Sequence, residues 1–249
     1  MRLKILVFSL MIAFLGSRAF AKTDPAPSFV INDLNMILES GQNNHYNEVM
    51  NKIGDALSTL GKKQRQFKSE TDFAEYVYFY VHRKFLKSYV QFASLENTVL
   101  KGNYDCLTGT ALYALFLSEL DIKHVVVENN FHIYLLLFPG SEHEVLLETT
   151  DPRYGFITDQ TEVDRLKEQY VLGNAASSAK VQLDFSLDRK VSGSELLGLL
   201  FYNQSVKMIN IGDVEAAIDY ATLSAEYYQG QRLTKLLEWL NAEQLQAAL

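Results

Sequence analysis

The chain has 249 residues, 48% of them hydrophobic and 21% charged, with a formal net charge of −7. That is enough apolar material for a proper core and excludes a disordered chain. An acidic protein without a basic stripe is also a poor nucleic-acid binder, and the ordinary meaning of its charge is solubility.

Arg2 and Lys4 form a short basic head. Residues 5–16 are apolar apart from Ser9, and Ser17-Arg18-Ala19-Phe20-Ala21 places small residues where a signal peptidase reads. This grammar predicts a cleaved secretory signal over residues 1–21 and an exported protein, periplasmic or extracellular. The apolar run is about a dozen residues, short of the roughly 20 that a transmembrane helix needs. No Cys follows it to carry a lipid anchor, and no later stretch is apolar enough to span a membrane, so no stable insertion is expected after cleavage. Removal of the signal takes away Arg2, Lys4 and Arg18 and no acid, which moves the net charge from −7 to −10. One Cys remains, Cys106. An exported chain with one Cys has no internal disulfide, and a lone thiol in an oxidising compartment is either buried and inert or kept because it reacts.

Residues 22–28 hold two of the four prolines and read as a disordered lead-in. The pattern then turns helical to about residue 95. Tyr46, Val49, Met50, Ile53, Leu57 and Leu60 recur at helical spacing, with Gly61 as the expected stop. Ser69-Glu-Thr-Asp72 resembles a capping box that opens an aromatic-rich helix over residues 73–92. Its Tyr and Phe stripe (Tyr76, Tyr78, Phe79, Tyr80, Phe85, Tyr89) reads as core. Lys101-Gly-Asn-Tyr-Asp105 is turn-rich, and Asp105 is a natural N-cap for a helix over residues 106–120. Three strand-like runs follow, at 124–128, 131–138 and 144–150. The last two form an antiparallel hairpin around Pro139-Gly140-Ser141. Residues 151–180 read as an extended loop with a short polar helix, followed by a strand over 181–185. From Gly193 the chain is helical again. Two helices flank Asn210-Ile-Gly-Asp213 and a third starts near Gln231. The flanking pair resembles a tetratricopeptide repeat at Phe201, Ser205, Gly212, Ala217 and Ala221, without the closing Pro. The charged runs Asp188-Arg-Lys190 and Lys62-Lys63 read as solvated.

Cys106 falls in the first turn of its helix, where unpaired backbone N–H groups and the helix dipole favour a thiolate. A reactive thiol needs a base, and His132 begins the next long strand. The base needs an acceptor to fix its tautomer, and the partner strand ends Glu148-Thr-Thr-Asp151-Pro152. Side chains alternate along a strand with period two. If the turn aligns Phe138 with Glu142, His132 lies opposite Glu148, whereas a slip of one residue brings Asp151 into line instead. Glu148, inside the strand, is favoured; Asp151 precedes Pro152 and is better placed to start a turn. His45, His82, His124 and His143 are scattered, and one Cys with no His-x₃-His pair gives no metal site. Neither a glycine-rich phosphate loop, a Gly-x-Ser-x-Gly elbow nor a His-Glu-x-x-His helix is present.

Gly-Asn-Tyr-Asp-Cys opening a helix, a strand-borne His and an acid closing the next strand resemble the transglutaminase-like superfamily of papain-type cysteine enzymes. More narrowly, with residues 195–204, the chain resembles exported bacterial members that follow the core with tetratricopeptide-like helices. The resemblance covers roughly residues 70–230. It implies an α+β fold, a helix on an antiparallel sheet with a repeat-like helical extension. Residues 22–69 would be a helical lead-in, 70–192 the core and 193–249 the extension. It implies a thiol nucleophile (Cys106), a general base (His132), an orienting acid (Glu148 or Asp151) and no cofactor. A peptide or protein would be the substrate, with peptidase, amidase and acyl-transferase chemistry all sharing a thioester. Tyr104 is a further candidate donor to the oxyanion. Many relatives have Trp two residues after the His, where Tyr134 stands, and Asp-Pro-Thr at the third position, where Glu-Thr-Thr and Asp-Pro stand. The competing reading is an inactive scaffold that holds a peptide or partner protein in its cleft or on its C-terminal helices.

Overall fold

A computed structural model describes residues 29–40, 45–129, 132–173 and 188–247. The signal peptide read over 1–21 and the strand expected over 181–185 lie outside the described residues. The first helices are α1 (Ile31–Ser40) and α2 (Tyr46–Gln64). α2 runs through Gly61 instead of stopping there. A side chain at Gly61 would meet open space, and Lys62, Lys63 and Gln64 are good helix formers. α3 (Glu70–Phe85) starts from Ser69, whose hydroxyl accepts the Asp72 N–H at 3.3 Å.

α3 ends at Phe85 and not near residue 92, for a reason that is not local. The N–H groups of Lys87 and Ser88 donate to the Gly102 carbonyl at 2.9 and 3.0 Å. This starts a short parallel pairing of β1 (Ser88–Tyr89) with β2 (Asn103–Tyr104), across α4 (Leu95–Lys101). α4 stops at Gly102, whose φ of 82° and close approach to the Lys87 side chain both require glycine. The pairing delivers the chain to Asp105 and so fixes the entry of α5 (Cys106–Glu119).

α5 is the central helix, buried on every side from Leu107 to Leu117. On one face it meets β3 (His124–Asn129), β4 (Ile133–Leu137) and β5 (Val145–Leu147). These run antiparallel with β6 (Phe156–Ile157) at one edge. α6 (Gln160–Gly173) covers the other face, where Val163, Leu166 and Tyr170 pack on Val127, Tyr134, Leu136 and Leu146. Two-sided burial accounts for the unbroken apolar run of β4. The turn between β4 and β5 is wider than a Phe138–Glu142 pairing. Phe138 and Gly140 are left-handed, Ser141 N–H closes on the Phe138 carbonyl, and Leu137 pairs with Val145. The register is therefore two residues from the one expected. An even shift preserves parity, so Glu148 still shares a face with His132.

β7 (Asp188–Val191) completes the sheet, in the order β6-β5-β4-β3-β7. Its Arg189 lies directly opposite Glu128 of β3 and is not a solvated charge. Then come α7 (Gly193–Ile211), α8 (Val214–Tyr227) and α9 (Gln231–Ala247). α7 and α8 form an antiparallel hairpin that turns at left-handed Gly212. It is tied by Ser205 Oγ to the Ala217 carbonyl (2.7 Å) and Ser224 Oγ to the Gly198 carbonyl (2.8 Å). Among the described residues one cluster of buried side chains runs from Phe29 to Leu240, so the lead-in, the core and the extension share it. No helix among the described residues is long and apolar enough to cross a membrane.

The turn after β5 folds back on the backbone of Glu148. Glu148 N–H donates to the Gly155 carbonyl at 2.7 Å, and Gly155 N–H donates to the Asp151 carbonyl at 3.1 Å. A Cβ on Gly155 would lie 2.1 Å from the Glu148 carbonyl oxygen and 2.5 Å from the Tyr78 hydroxyl. Gly155→Ala is expected to cost about 1–3 kcal/mol by overpacking. Urea unfolding checks this; an unchanged midpoint and slope would show that the turn gives way freely.

Candidate active site

Asp105 sets the position of Cys106. One of its carboxylate oxygens accepts the Thr108 N–H (2.8 Å) and hydroxyl (2.9 Å), while its own N–H donates to Thr108 Oγ1 (3.0 Å). This reciprocal cap is buried and rigid, with Asp105 only 4% exposed. Cys106, next in the chain, is a half-buried free thiol on the first turn. Thr149 ties the end of β5 to the same turn, donating its hydroxyl to the Cys106 carbonyl at 3.4 Å.

His132 stands just ahead of β4. Its N–H donates to Asn129 Oδ1 at 2.7 Å, which holds the ring at the mouth of the β3–β4 turn. Nε2 donates to Glu148 Oε2 at 2.5 Å. Glu148 is saturated: the same oxygen accepts the Tyr170 hydroxyl at 2.9 Å, and Oε1 accepts the Thr150 N–H at 3.0 Å and hydroxyl at 2.6 Å. Tyr134 stacks on the imidazole, and Tyr170 lies 5.0 Å from it between ring centres, so two phenol rings shelter the pair. With Nε2 engaged, Nδ1 is the ring atom left for the Cys106 side chain.

The electrostatics follow from these contacts. Burial works against a charged imidazole, but hydrogen bonding to Cys106 and Glu148 and the charge of Glu148 outweigh it and push His132 up to about 10. Burial likewise works against the Glu148 carboxylate. The His132 hydrogen bond and charge, with the Thr150 donors, reverse this and take it down to about 2. At neutral pH the pair is an imidazolium beside a carboxylate.

Cys106 and His132 line one cavity of about 270 Å³. One wall is Tyr89, Gln91 and Phe92. The other is Leu199, Tyr202, Asn203 and Val206 of α7 with Arg232 of α9. Asp151 is not part of this group. Its Oδ1 accepts the N–H groups of Arg153 and Tyr154, and its carbonyl accepts Gly155 N–H and the Tyr78 hydroxyl, so it builds the turn before Gly155. Tyr104 does not line the cavity either. The β1–β2 pairing turns it inward, against the rings of His82 and Tyr89. Among the described residues no group of three or more His, Cys, Asp or Glu side chains is placed to hold a metal ion.

Four participants escape a reading of the sequence. Tyr170 and Thr150 carry no motif of their own. Asn203 donates from α7 to the second Asp105 oxygen at 2.8 Å. Glu128, 2% exposed, is paired with Arg189 (3.2 Å) and Arg232 (3.1 Å) and accepts the Tyr228 hydroxyl at 3.0 Å. Burial pushes its carboxyl up against the pull of Arg232 and Arg189. An acid in a strand rich in Val is the one signal that Glu128 offered. Comparison with known proteins finds no matching family model, curated protein or solved structure.

Nuclear magnetic resonance titration of the imidazole should find His132 charged through neutrality in the wild type and moved well toward 6.5 in Glu148→Gln. A wild-type ring that titrates near 6.5 would refute the ion pair. The raised His132 value stabilises the fold fully below about pH 6.5, and this is lost as pH rises through about 10. The lowered Glu148 value stabilises it above about pH 4.5, and this is lost as pH falls through about 2. The melting-temperature deficit of Glu148→Gln should therefore be largest near pH 5–6 and narrow toward pH 10.

Proposed function

We propose that this chain is a thiol-dependent acyl hydrolase or acyl-transferase of the transglutaminase-like, papain-type superfamily, exported and acting on peptide or amide bonds. One observation carries the reading: Cys106 opens a capped helix in the same cavity as His132, and His132 is oriented by Glu148 at 2.5 Å. The nucleophile, base and orienting acid come in the order Cys, His, Glu from a helix start and two adjacent strands. Asp151 takes no part.

The reaction draws on Cys106 as a thiolate beside the imidazolium. The Cys106 sulfur adds to the acyl carbon, and the carbonyl electron pair moves onto oxygen. As the tetrahedral species collapses, the carbon–nitrogen bond breaks and His132 Nδ1 gives its proton to the departing amine. A thioester remains. Water, or a second amine in a transferase, attacks it while neutral His132 takes a proton from the attacking atom. The sulfur leaves as the anion and the starting charges are restored. Glu148 holds the ring in the tautomer that points Nδ1 at the sulfur and supports the cation. α7 and α8 extend the core as a tetratricopeptide-like pair, and α7 also walls the cleft.

Iodoacetamide should label Cys106 at pH 6 at least about tenfold faster than a small thiol peptide, which is almost wholly protonated there. His132→Ala should remove that advantage. Labelling no faster than the peptide would sink the proposal. Biological activity undiminished in Cys106→Ala would favour a non-catalytic binding module that uses the same cleft.

A further inference from the structure

Asn203 is the polar side chain through which α7 reaches the start of α5. Its Nδ2 donates to Asp105 Oδ2 at 2.8 Å, and the other Asp105 oxygen is taken by Thr108. A carboxylate only accepts, so this contact settles which end of the amide faces Asp105. It also stops the amide from turning. An amide nitrogen carries two hydrogens, and Asp105 takes one of them. Asn203 lines the cavity that holds Cys106 and His132, and Asp105 is the residue directly before Cys106. The second N–H is the one left for a group bound in that cavity.

We infer that Asn203 is the side-chain donor to the substrate oxygen when Cys106 adds to an acyl carbon. The inference rests on the acyl-transfer reading above and adds a catalytic residue supplied by the C-terminal helices. In the step concerned, the sulfur–carbon bond forms and the carbonyl electron pair moves onto oxygen. Asn203 donates to that oxygen without giving up its proton. The pair then returns to re-form the carbonyl as the leaving group departs.

The test compares two reactions of Cys106. Alkylation by iodoacetamide displaces iodide at a saturated carbon and forms no oxyanion. Acylation by p-nitrophenyl acetate passes through one, with p-nitrophenolate leaving and a thioester formed. Asn203→Ala should slow the acylation burst about 10²–10³-fold, the usual loss of one oxyanion donor, while alkylation changes less than about threefold. Asn203→Ser, whose hydroxyl is too short to reach a substrate oxygen, should show the same split. Equal losses in both reactions would mean that Asn203 only holds the helix start. Unchanged acylation in both variants would also overturn the assignment. A wild-type burst that survives in Cys106→Ala, or no wild-type burst at all, would instead remove the acyl-transfer reading and this inference with it.

Discussion

The Asp105 carboxylate is the constraint on which the rest of the site depends. It is almost fully buried, and both oxygens are committed, to Thr108 on one side and to Asn203 on the other. A buried carboxylate without partners is costly, so each of these donors is required as much as it is useful. The same group starts α5, anchors α7 to it and leaves Cys106 at the first turn of a helix that cannot slide. α5 is buried on every side from Leu107 to Leu117, so its placement is settled by the whole core, and its N-terminus faces the cavity.

Glu148 plays the matching part on the sheet. It meets two hydrogen-bond donors at each oxygen, from His132, Tyr170 and the Thr150 backbone and hydroxyl. Such a carboxylate has little freedom to rotate, and it transmits that rigidity to the imidazole. The turn that follows makes this possible, because Gly155 lets the backbone double back against Glu148 at a distance no side chain would tolerate.

What was legible in the sequence is what depends on near neighbours. The Asp105 cap and the start of α5 rest on residues three apart, and they read directly. The choice of Glu148 over Asp151 depended on strand parity, on an expected place for Glu148 inside the strand and on the turn chemistry of Asp-Pro; Glu148 in fact follows the last residue of β5. Parity was kept although the register moved by two residues, since the left-handed Phe138 widens the turn by an amount no local signal announced. The end of α3 was misplaced because the β1–β2 pairing that stops it joins segments on either side of α4. Arg189 looked solvated for the same reason: its partner Glu128 lies on the far side of α6 in the chain. Tyr170 and Asn203 are ordinary helix residues until the sheet and α5 are built beneath them.

The buried cluster around Glu128 has a consequence for how the molecule assembles. His132 and Glu148 are 16 residues apart, a short loop to close, whereas Asn203 meets Asp105 across 98 residues and Tyr228 meets Glu128 across 100. Contacts of long sequence separation carry the larger closure entropy and are slow to form. The imidazole–carboxylate pair therefore closes a much shorter loop than the contacts that complete the cleft. The wall that bounds the sulfur depends on the longer closures, which bring Arg232 onto Glu128 and Asn203 onto Asp105. Enclosure of the nucleophile thus rests on contacts that join parts of the chain about 100 residues apart.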